Sequence, residues 1–407
     1  MKNKLFSYIL FLSTIVIIAI YPMIDNLSIA NTVPLPFQPH QETTAEPLNP
    51  QNEKYIDVVF VLDTTGSMGG LIQAAKEKIW SIASTMASAQ NKPHIRMGLV
   101  AYRDRGDNYV TQTVDLTSNL DAMYSQLMNF QASGGGDGPE SVNQALDDAV
   151  NKMSWSQNHQ AYKVIFLLGD APPHMDYQDD IKYPQTIELA NRKGIIVNAI
   201  QCGNNVQTSK QWQHIASLSQ GDYFQVNQSG SAVTITTPFD KNISELSRDL
   251  EESIVVYGSQ DKRKALDERK QQSKNLQGRL SEASSARRAL FNSTASGREN
   301  SLTENDLIAK IAAGKLKIEE LNEKALPASI AKLPQKEQAK LIKTKIAERQ
   351  RIKTKLKKVM EARTLYLKKE VAKVGGLKDS LDSKIFNSVK KQARDKGIEY
   401  KGDAPSY

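Results

Sequence analysis

The chain has 407 residues, a length that favours two folded units with tails over a single domain. Hydrophobic residues make up 40% of it and charged residues 24%, so a core can be buried and wholesale disorder is excluded. The single cysteine, Cys202, excludes a disulfide framework and any multi-cysteine zinc site, and its apolar neighbours predict a buried core residue.

The charge is divided unevenly along the chain. Lys and Arg total 53 against 45 Asp and Glu, which gives a formal net charge of +8. Residues 261–407 contain 36 Lys and Arg against 19 Asp and Glu, a net charge of +17, so residues 1–260 carry −9. A mildly acidic front half and a strongly basic back half predict two modules with different roles.

The N-terminus has the features of an export signal. Lys2 and Lys4 precede an uncharged run over residues 5–24, and Ser28-Ile29-Ala30 offers small residues at a cleavage site. Residues 1–30 are therefore predicted to be a cleaved signal peptide or, because residues 5–24 can span a bilayer, an uncleaved anchor. Either alternative predicts an exported chain, in the periplasm, at the cell surface or secreted.

The chain between this signal and the first folded unit is polar. Residues 31–53 contain five prolines and few apolar side chains, so they cannot pack a core. We expect them to form an extended, Pro-rich linker.

Apolar runs and helical spacings alternate between residues 54 and 257. Short apolar runs predict buried strands, and apolar residues three or four apart predict helices. The predicted strands are Tyr55–Leu62, His94–Tyr102, Thr111–Leu116 at an edge, Lys163–Leu168, Gly194–Gln201 and Asp222–Val226. The predicted helices cover residues 71–86, 142–150, Tyr183–Arg192 and Asp240–Tyr257.

This alternation predicts an α/β fold. Strands that alternate with helices favour a doubly wound, mostly parallel sheet with helices on both faces. In such sheets ligands bind at the carboxyl ends of the strands, where the strand order switches. A functional site is therefore expected on the loops that follow the strands.

The first of these loops carries oxygen-bearing side chains at alternate positions. Asp63, Thr65 and Ser67 lie in a tight turn that Gly66 permits and that leads into the first helix. One carboxylate and two hydroxyls are hard ligands of low total charge, which suit Mg²⁺ or Ca²⁺ better than zinc. The same turn also suits a helix N-cap by Thr65 or Ser67, and the loop alone leaves both interpretations open.

Further carboxylates follow other predicted elements at the same edge. Asp104 follows the second strand, Asp137 and Glu140 lie in a glycine-rich stretch before a helix, and Asp170 follows the strand that ends at residue 168. Carboxylates gathered on one rim repel each other unless a cation lies between them. The pattern favours a metal site over unrelated solvated loop residues.

The first loop resembles a known metal-binding signature. Asp63-x-Thr65-x-Ser67 is similar to the D-x-S/T-x-S motif of von Willebrand factor A domains, whose metal site is called the metal-ion-dependent adhesion site. The resemblance covers about residues 54–257. It implies the Rossmann-like fold of that superfamily.

The next two loops resemble one branch of the superfamily. Asp137-x-Pro139-Glu140 is similar to a D-x-P-E loop of integrin β-subunit I-like domains, and the stretch from Asp170 to His174 is similar to their third loop. By that likeness Glu140 stands where other A domains have threonine.

The resemblance implies one main metal site and a second, neighbouring one. The main site would be held by Asp63, Thr65, Ser67, Glu140 and Asp170, the last through water. The second cation would be held by Asp104, Asp137, the Pro139 carbonyl and Glu140. The implied cofactor is Mg²⁺, with Ca²⁺ or Mn²⁺ as alternatives.

A site of this kind has a vacant coordination position that seeks an acidic side chain from a partner protein. The leading hypothesis is therefore a divalent-cation-dependent, adhesion-type protein-binding module exported to the cell envelope. We expect no enzyme, because a nucleophile elbow, a P-loop and a zinc triad are missing from the sequence. Ser67, for example, lies in Gly-Ser-Met-Gly rather than in G-x-S-x-G. His174 is expected to be a rim residue rather than a ligand.

Residues 258–407 are predicted to be a basic, mostly α-helical, coiled-coil-like region. Predicted helices cover Asn305–Lys324, Lys336–Glu370 and Leu381–Arg394, and residues 258–300 suit a helix or a flexible connector. Their Lys and Arg side chains suit a solvated face or, alternatively, contact with an anionic envelope surface. Nucleic-acid binding is not expected, because interleaved aromatics and a reading motif are missing.

The basic region gives a second functional hypothesis. The chain would be a structural envelope protein that binds an anionic surface through residues 258–407. The α/β domain would then be a scaffold.

Overall fold

The computed structural model describes residues 53–136, 138–229, 234–298, 300, 305–373 and 380–402. The predicted signal peptide or anchor of residues 1–30, the linker up to residue 52 and Asp137 lie outside these ranges. Residues 51–407 form one compact unit. Within the described ranges, no helix is both long enough and apolar enough to cross a membrane.

A six-stranded sheet lies at the centre of this unit. Its strands are β1 (Tyr55–Asp63), β2 (His94–Tyr102), β3 (Thr111–Thr117), β4 (Tyr162–Gly169), β5 (Ile195–Cys202) and β6 (Tyr223–Val226). Their spatial order is β3-β2-β1-β4-β5-β6. β3 runs antiparallel to β2, and the remaining pairs are parallel. The predicted α/β class, the mostly parallel sheet and the edge position of β3 are confirmed.

The apolar runs explain the central position of β1 and β4. Residues 56 to 63 of β1 are all buried, and so are all eight residues of β4. A parallel strand covered on both faces needs apolar side chains on both sides, which a near-continuous apolar run supplies. β3 instead has one buried position, as expected for an edge strand.

The strand order reverses beside β1, and this reversal positions the site. β2 lies on one side of β1 and β4 on the other, so the chain leaves their carboxyl ends towards opposite faces of the sheet. Asp63 is the last residue of β1, and Asp170 directly follows the last residue of β4. Two predicted metal ligands therefore lie where open α/β sheets bind ligands.

Helices cover both faces of the sheet. In the first part of the chain they are α1 (Gly69–Ala87), α2 (Leu120–Leu127), α3 (Val142–Asn151), α4 (Tyr183–Arg192), α5 (Val206–Leu218) and α6 (Asp240–Glu252). Side chains of α1 and α2 bury one face of the sheet. Side chains of α3, α4 and α5 bury the other face.

Two of these helices, α2 and α5, were not predicted from the apolar pattern. Each begins at an asparagine whose side chain accepts a hydrogen bond from the backbone of the first turn. Asn119 Oδ1 accepts from Ala122 N, and Asn205 Oδ1 accepts from Thr208 N. The N-cap residue was therefore the sequence signal that could have identified both helices.

The basic region is helical, as predicted. Its helices are α7 (Gln260–Gln277), α8 (Glu282–Ser293), α9 (Leu307–Ala312), α10 (Ala328–Ala331), α11 (Gln335–Lys373) and α12 (Leu381–Ala393). The predicted helix over Asn305–Lys324 is wrong beyond Ala312. Gly314 has a φ of +67°, a left-handed conformation that ends a helix, and only short 3-10 turns follow.

The C-terminal helices pack on the α/β unit. Phe291 of α8 and Phe386 of α12 belong to the same buried cluster as Phe60 of β1 and Phe166 of β4. The predicted boundary at residue 257 therefore marks a change in charge composition within one continuous packed unit.

Buried ion pairs fix this packing. Lys78 Nζ on α1 lies 2.7 Å from Asp382 Oδ2 on α12, and both side chains are almost inaccessible, at 0% and 1%. Arg288 on α8 donates to the carboxylates of Asp121 and Glu251. Because an unpaired buried charge is costly, these pairs favour one arrangement of α8 and α12 against α1, α2 and α6.

Candidate metal centre

Asp63 is the buried base of the site. It is fully inaccessible, and its Oδ1 accepts hydrogen bonds from Thr65 N at 2.9 Å and Thr65 Oγ1 at 2.7 Å. These bonds form because the chain turns sharply at the end of β1. The structure therefore brings together the first two predicted ligands.

The turn after Thr65 leads directly into α1. Residues Gly66–Met68 form a 3-10 turn, on which Ser67 is exposed and Met68 is buried in the core. Gly66 N donates to Gly134 O at 3.0 Å, which ties this turn to the glycine-rich loop. Ser67 lies at the open side of the site, where it is accessible to a ligand from solvent.

The glycine-rich loop approaches the site closely. Gly135 has a φ of +82°, and a Cβ built on it would lie 3.4 Å from both Glu140 Oε1 and Thr65 Cβ. Glu140 and Thr65 therefore flank the same point. A side chain at position 135 would fill the space between them.

Glu140 is held in place by its backbone. Its N–H donates to Pro172 O at 2.9 Å, and its carbonyl accepts from His174 N at 3.1 Å. These bonds join the glycine-rich loop to the loop after β4. The side chain of Glu140 is 4% exposed, so a carboxyl group is held inside the site.

Asp170 is half-buried at the end of β4. Its Oδ2 accepts a hydrogen bond from Gln228 Nε2 at 2.6 Å, and its carbonyl accepts from Thr208 Oγ1 at 3.0 Å. One carboxylate oxygen is thus already engaged. This is compatible with the predicted contact to a cation through water.

The buried carboxyl groups perturb each other. Burial raises the pKa of Asp63 to about 7, while hydrogen bonds from Thr65 oppose the rise and the charge of Asp170 adds to it. Burial raises the pKa of Glu140 to about 9, and the charges of four nearby aspartates add to the rise. Two carboxyl groups whose ionised forms are this unfavourable need a nearby positive charge or a proton.

Among the predicted ligands in the described part of the chain, two buried carboxylate oxygens have no hydrogen-bond partner: Asp63 Oδ2 and Glu140 Oε2. Buried polar atoms are satisfied in nearly all proteins, so such a pair of acceptors indicates a missing positively charged partner. Since the donor atoms at the site are oxygens, the residues fit a hard divalent cation such as Mg²⁺, Ca²⁺ or Mn²⁺.

Carboxylates alone would not complete the shell of such an ion. Across the described ranges, no three Asp, Glu, His or Cys side chains form a metal-binding group. The predicted ligand set also includes the hydroxyls of Thr65 and Ser67, and water.

At the predicted second site, the carboxylate of Asp104 already has hydrogen-bond partners within the protein. Asp104 accepts hydrogen bonds from Ser141 Oγ at 2.9 Å and from Tyr177 Oη at 3.0 Å, and His174 Nε2 lies 3.3 Å from its Oδ2. Its carboxylate is thus already engaged by protein groups. Asp137 lies outside the described residues, and Pro139 is half-buried. The second cation stays a prediction.

Sequence reasoning missed Asp107. Its Oδ2 accepts from Asp104 N at 3.2 Å and from Gly135 N at 3.0 Å, so it joins the loop after β2 to the glycine-rich loop. Gly134 makes room for it, because a Cβ there would lie 2.2 Å from Asp107 Oδ1. An acidic residue three positions after Asp104 was the available signal.

His174 supports the rim of the site. Its Nδ1 lies 2.8 Å from Asp176 Oδ1, and its ring stacks on Tyr177 with the centroids 3.9 Å apart. The imidazole is 3% exposed. His174 therefore packs against the loop after β4 and engages two aspartates, Asp104 and Asp176, which agrees with a structural role.

Sequence comparisons agree with this geometry. Residues 57–238 match the family model described as von Willebrand factor A domain. Human von Willebrand factor A domain-containing protein 7 is 38% identical over 114 residues, 28% of this chain and 12% of that protein. The alpha-protein kinase vwkA of Dictyostelium discoideum is 27% identical over 120 residues, 29% of this chain and 19% of that protein. The chain thus matches less than a fifth of the length of either relative.

A solved structure shows a weaker likeness. Proximal thread matrix protein 1 from the mussel byssus, with a zinc-occupied MIDAS motif, is 17% identical with a TM-score of 0.35. The alignment covers 44% of this chain and 43% of that one. The family assignment rests instead on the family model, the strand order of the sheet and the motif at Asp63. Residues 57–238 of this chain are a von Willebrand factor A domain.

Proposed function

We propose that this chain is a divalent-cation-dependent protein-binding module of the adhesion type. Von Willebrand factor A domains are commonly metal-dependent protein-interaction modules. Here the ion would be Mg²⁺, Ca²⁺ or Mn²⁺. The residues that would hold it are Asp63, Thr65, Ser67, Glu140 and Asp170.

One observation carries this proposal. Asp63 Oδ2, at the end of β1, and Glu140 Oε2, in the glycine-rich loop, are buried at the same sheet edge and have no hydrogen-bond partner in the described structure. Two unsatisfied, mutually repelling carboxylates are costly in a domain that needs them only for stability. They are favourable where a cation joins them.

The partner in this proposal is a protein that presents an acidic side chain. When bound, the ion would supply a Lewis-acidic position at the open side, beside the exposed Ser67. Hydroxyl and water ligands leave such an ion with residual positive charge, so a carboxylate completes its shell. Binding of this kind is reversible and ends when a chelator removes the ion.

We place this activity outside the cytoplasmic membrane, on the strength of the export signal predicted for residues 1–30. We propose no catalytic role, because no motif for a nucleophile, a phosphate loop or a zinc triad was found in the sequence. Phosphoesterase activity that depends on Asp63 would contradict that part of the proposal.

Thermal unfolding in the presence of cations tests the metal site. The chain from residue 51, which is a compact unit, would be heated in chelator and in MgCl₂, CaCl₂ or MnCl₂. A cation at a hundred times its Kd should add about 2.7 kcal/mol to the free energy of unfolding. Asp63→Asn should lose this effect, and Glu188→Gln, an exposed carboxylate on α4, should keep it.

The partner is tested separately. Immobilised peptides that carry a glutamate or, as the control, a glutamine at one position would be probed with the wild-type chain. Retention that requires both the glutamate and the cation supports the proposal. Cation binding without any glutamate-dependent retention would leave the metal site intact and overturn the proposed mode of partner recognition.

A further inference from the structure

The longest helix, α11, carries a line of basic side chains along its outer face. We call this line the α11 stripe. Its members are Lys336, Lys340, Lys343, Arg351, Lys355, Lys358 and Lys369, and all are exposed. Their spacings of four, three, eight, four, three and eleven residues stay close to whole helical turns, so they share one side of the helix. The stripe is about 50 Å long at 1.5 Å per residue.

The opposite side of α11 is buried in the protein. Ile342 packs with the cluster around α9 and α10, and Leu356 and Met360 pack with α6 and α8. Two buried ion pairs fix the rotation of the helix. Arg349 pairs with Asp306, and Arg363 Nε lies 2.8 Å from Asp240 Oδ1. The stripe is therefore held facing outwards, and its helix cannot turn an apolar face towards a ligand.

The charge of the stripe is not neutralised locally. In the described part of the chain, no acidic side chain forms an ion pair with any of its members. Three exposed glutamates, Glu337, Glu348 and Glu361, lie on the same helix towards the edges of this face, against seven basic side chains. Positive charge at this density attracts an anionic surface or polymer.

The composition of the stripe favours a lipid surface over a nucleic acid. Six of its seven members are lysines, which bind as point charges, and bidentate recognition of single phosphates would favour arginine. Leu365, a large apolar residue at 62% exposure, lies between Lys358 and Lys369, where a bilayer interface can accept it. The stripe has no aromatic member on which a base could stack.

We propose that the α11 stripe binds the surface of an anionic phospholipid bilayer. The contact is peripheral, because the apolar side of α11 is already used inside the protein. Binding is electrostatic, so the affinity for the bilayer decreases as salt is added. The stripe lies on α11 and the metal site at the end of β1, so this binding does not depend on a cation in that site.

Vesicle co-sedimentation tests the proposal. The chain from residue 51 would be used, because the uncharged run at residues 5–24 could itself enter a bilayer. Vesicles of pure phosphatidylcholine would be compared with vesicles containing 30% phosphatidylserine, in chelator and low salt. The stripe variant carries Lys343→Glu, Arg351→Glu and Lys358→Glu.

A control variant has the same change in net charge at another exposed helix. It carries Lys262→Glu, Lys264→Glu and Lys274→Glu on α7, where acidic residues already alternate with basic ones. Thermal unfolding would establish that both variants fold.

The expected result is binding to the anionic vesicles only, reversed by 0.5 M NaCl. The partition coefficient of the stripe variant should be on the order of a hundredfold lower than that of the wild type. Each removed cation accounts for about a tenfold decrease or less. The control variant should change little.

Three results would overturn the proposal. The first is equal binding to neutral vesicles, and the second is equal loss in both variants. The third is stripe-dependent binding to a 20-base-pair DNA duplex without binding to anionic vesicles, which would assign the stripe to nucleic acid. Because chelator is present throughout, none of these results bears on the metal-site proposal.

Discussion

Replacing Glu140 by glutamine tests the metal site through the free energy of unfolding. In the cation-free folded chain, burial and the neighbouring aspartates raise the pKa of Glu140 from 4.5 to about 9. Folding therefore takes up a proton at neutral pH. Because the folded state binds more protons than the unfolded one, stability falls as the pH rises from 4.5 towards 9.

The size of this penalty follows from the shift. At pH 7 the carboxyl of Glu140 is held protonated about 2.5 pH units above its ordinary pKa, which costs about 3 kcal/mol. Glutamine has nearly the shape of the protonated acid and takes up no proton. We therefore expect Glu140→Gln to be more stable than the wild type by about 3 kcal/mol at pH 7 in chelator, and by little at pH 5.

Saturating Mg²⁺ should remove this advantage. At a hundred times its Kd the ion adds about 2.7 kcal/mol to the free energy of unfolding of the wild type. In the variant a neutral amide replaces one of the two carboxylates without a hydrogen-bond partner, so the ion should bind more weakly and stabilise the variant less. The two proteins should then become equal in stability, or the wild type should become the more stable one.

Urea unfolding at pH 5 and pH 7, in chelator and in MgCl₂, measures these differences. The control is Glu188→Gln, whose carboxylate on α4 is 72% exposed and should change stability little under any condition. The reasoning is refuted if Glu140→Gln is less stable than the wild type in chelator at pH 7. It is also refuted if Mg²⁺ stabilises wild type and Glu140→Gln to the same extent.

Two further substitutions test the packing around the site and beneath it. Asp382→Asn should cost about 3–5 kcal/mol of stability in urea, because it removes the carboxylate that lies 2.7 Å from the inaccessible Lys78 ammonium. The double variant Lys78→Met, Asp382→Leu should recover most of that loss of stability. A cost below about 1 kcal/mol for Asp382→Asn would contradict a buried ion pair. Gly169→Ala should abolish the cation-induced rise in Tm, because its Cβ would lie 2.4 Å from Tyr102 Oη and 2.9 Å from Asp63 Oδ2 and would displace both side chains. Gly136→Ala, whose Cβ would meet no atom within 4 Å, is the control for glycine replacement, and an unchanged cation response in Gly169→Ala would contradict the prediction.

Local sequence was sufficient for the sheet. The apolar runs at Tyr55–Leu62 and Lys163–Leu168 predict buried strands, because a strand covered on both faces is mostly apolar, and the observed strands differ by one residue at the ends. Helix caps were a weaker signal. α2 and α5 were missed although Asn119 and Asn205 begin them, since their apolar spacing is short or interrupted by polar residues.

Local sequence failed where a glycine and long-range packing decided the conformation. The stretch Asn305–Lys324 has a helical apolar spacing, yet the helix ends at Ala312. Gly314 then takes a left-handed conformation, and the following residues pack in short turns against the cluster around α9 and α10.

The sequence by itself determined the α/β class, the edge at which the site lies and three of the carboxylates that the structure places there, Asp63, Glu140 and Asp170. It could do so because strand ends and their following loops are close in sequence, and parallel strands bring their carboxyl ends to one edge. Tertiary structure alone decided three other features. It left Asp63 Oδ2 and Glu140 Oε2 without hydrogen-bond partners among the described residues, it engaged Asp104 with Ser141 and Tyr177, and it joined α12 to α1 through Asp382 and Lys78. Each of these depends on contacts between residues far apart in the chain, and a local pattern carries no information about which distant side chains will meet.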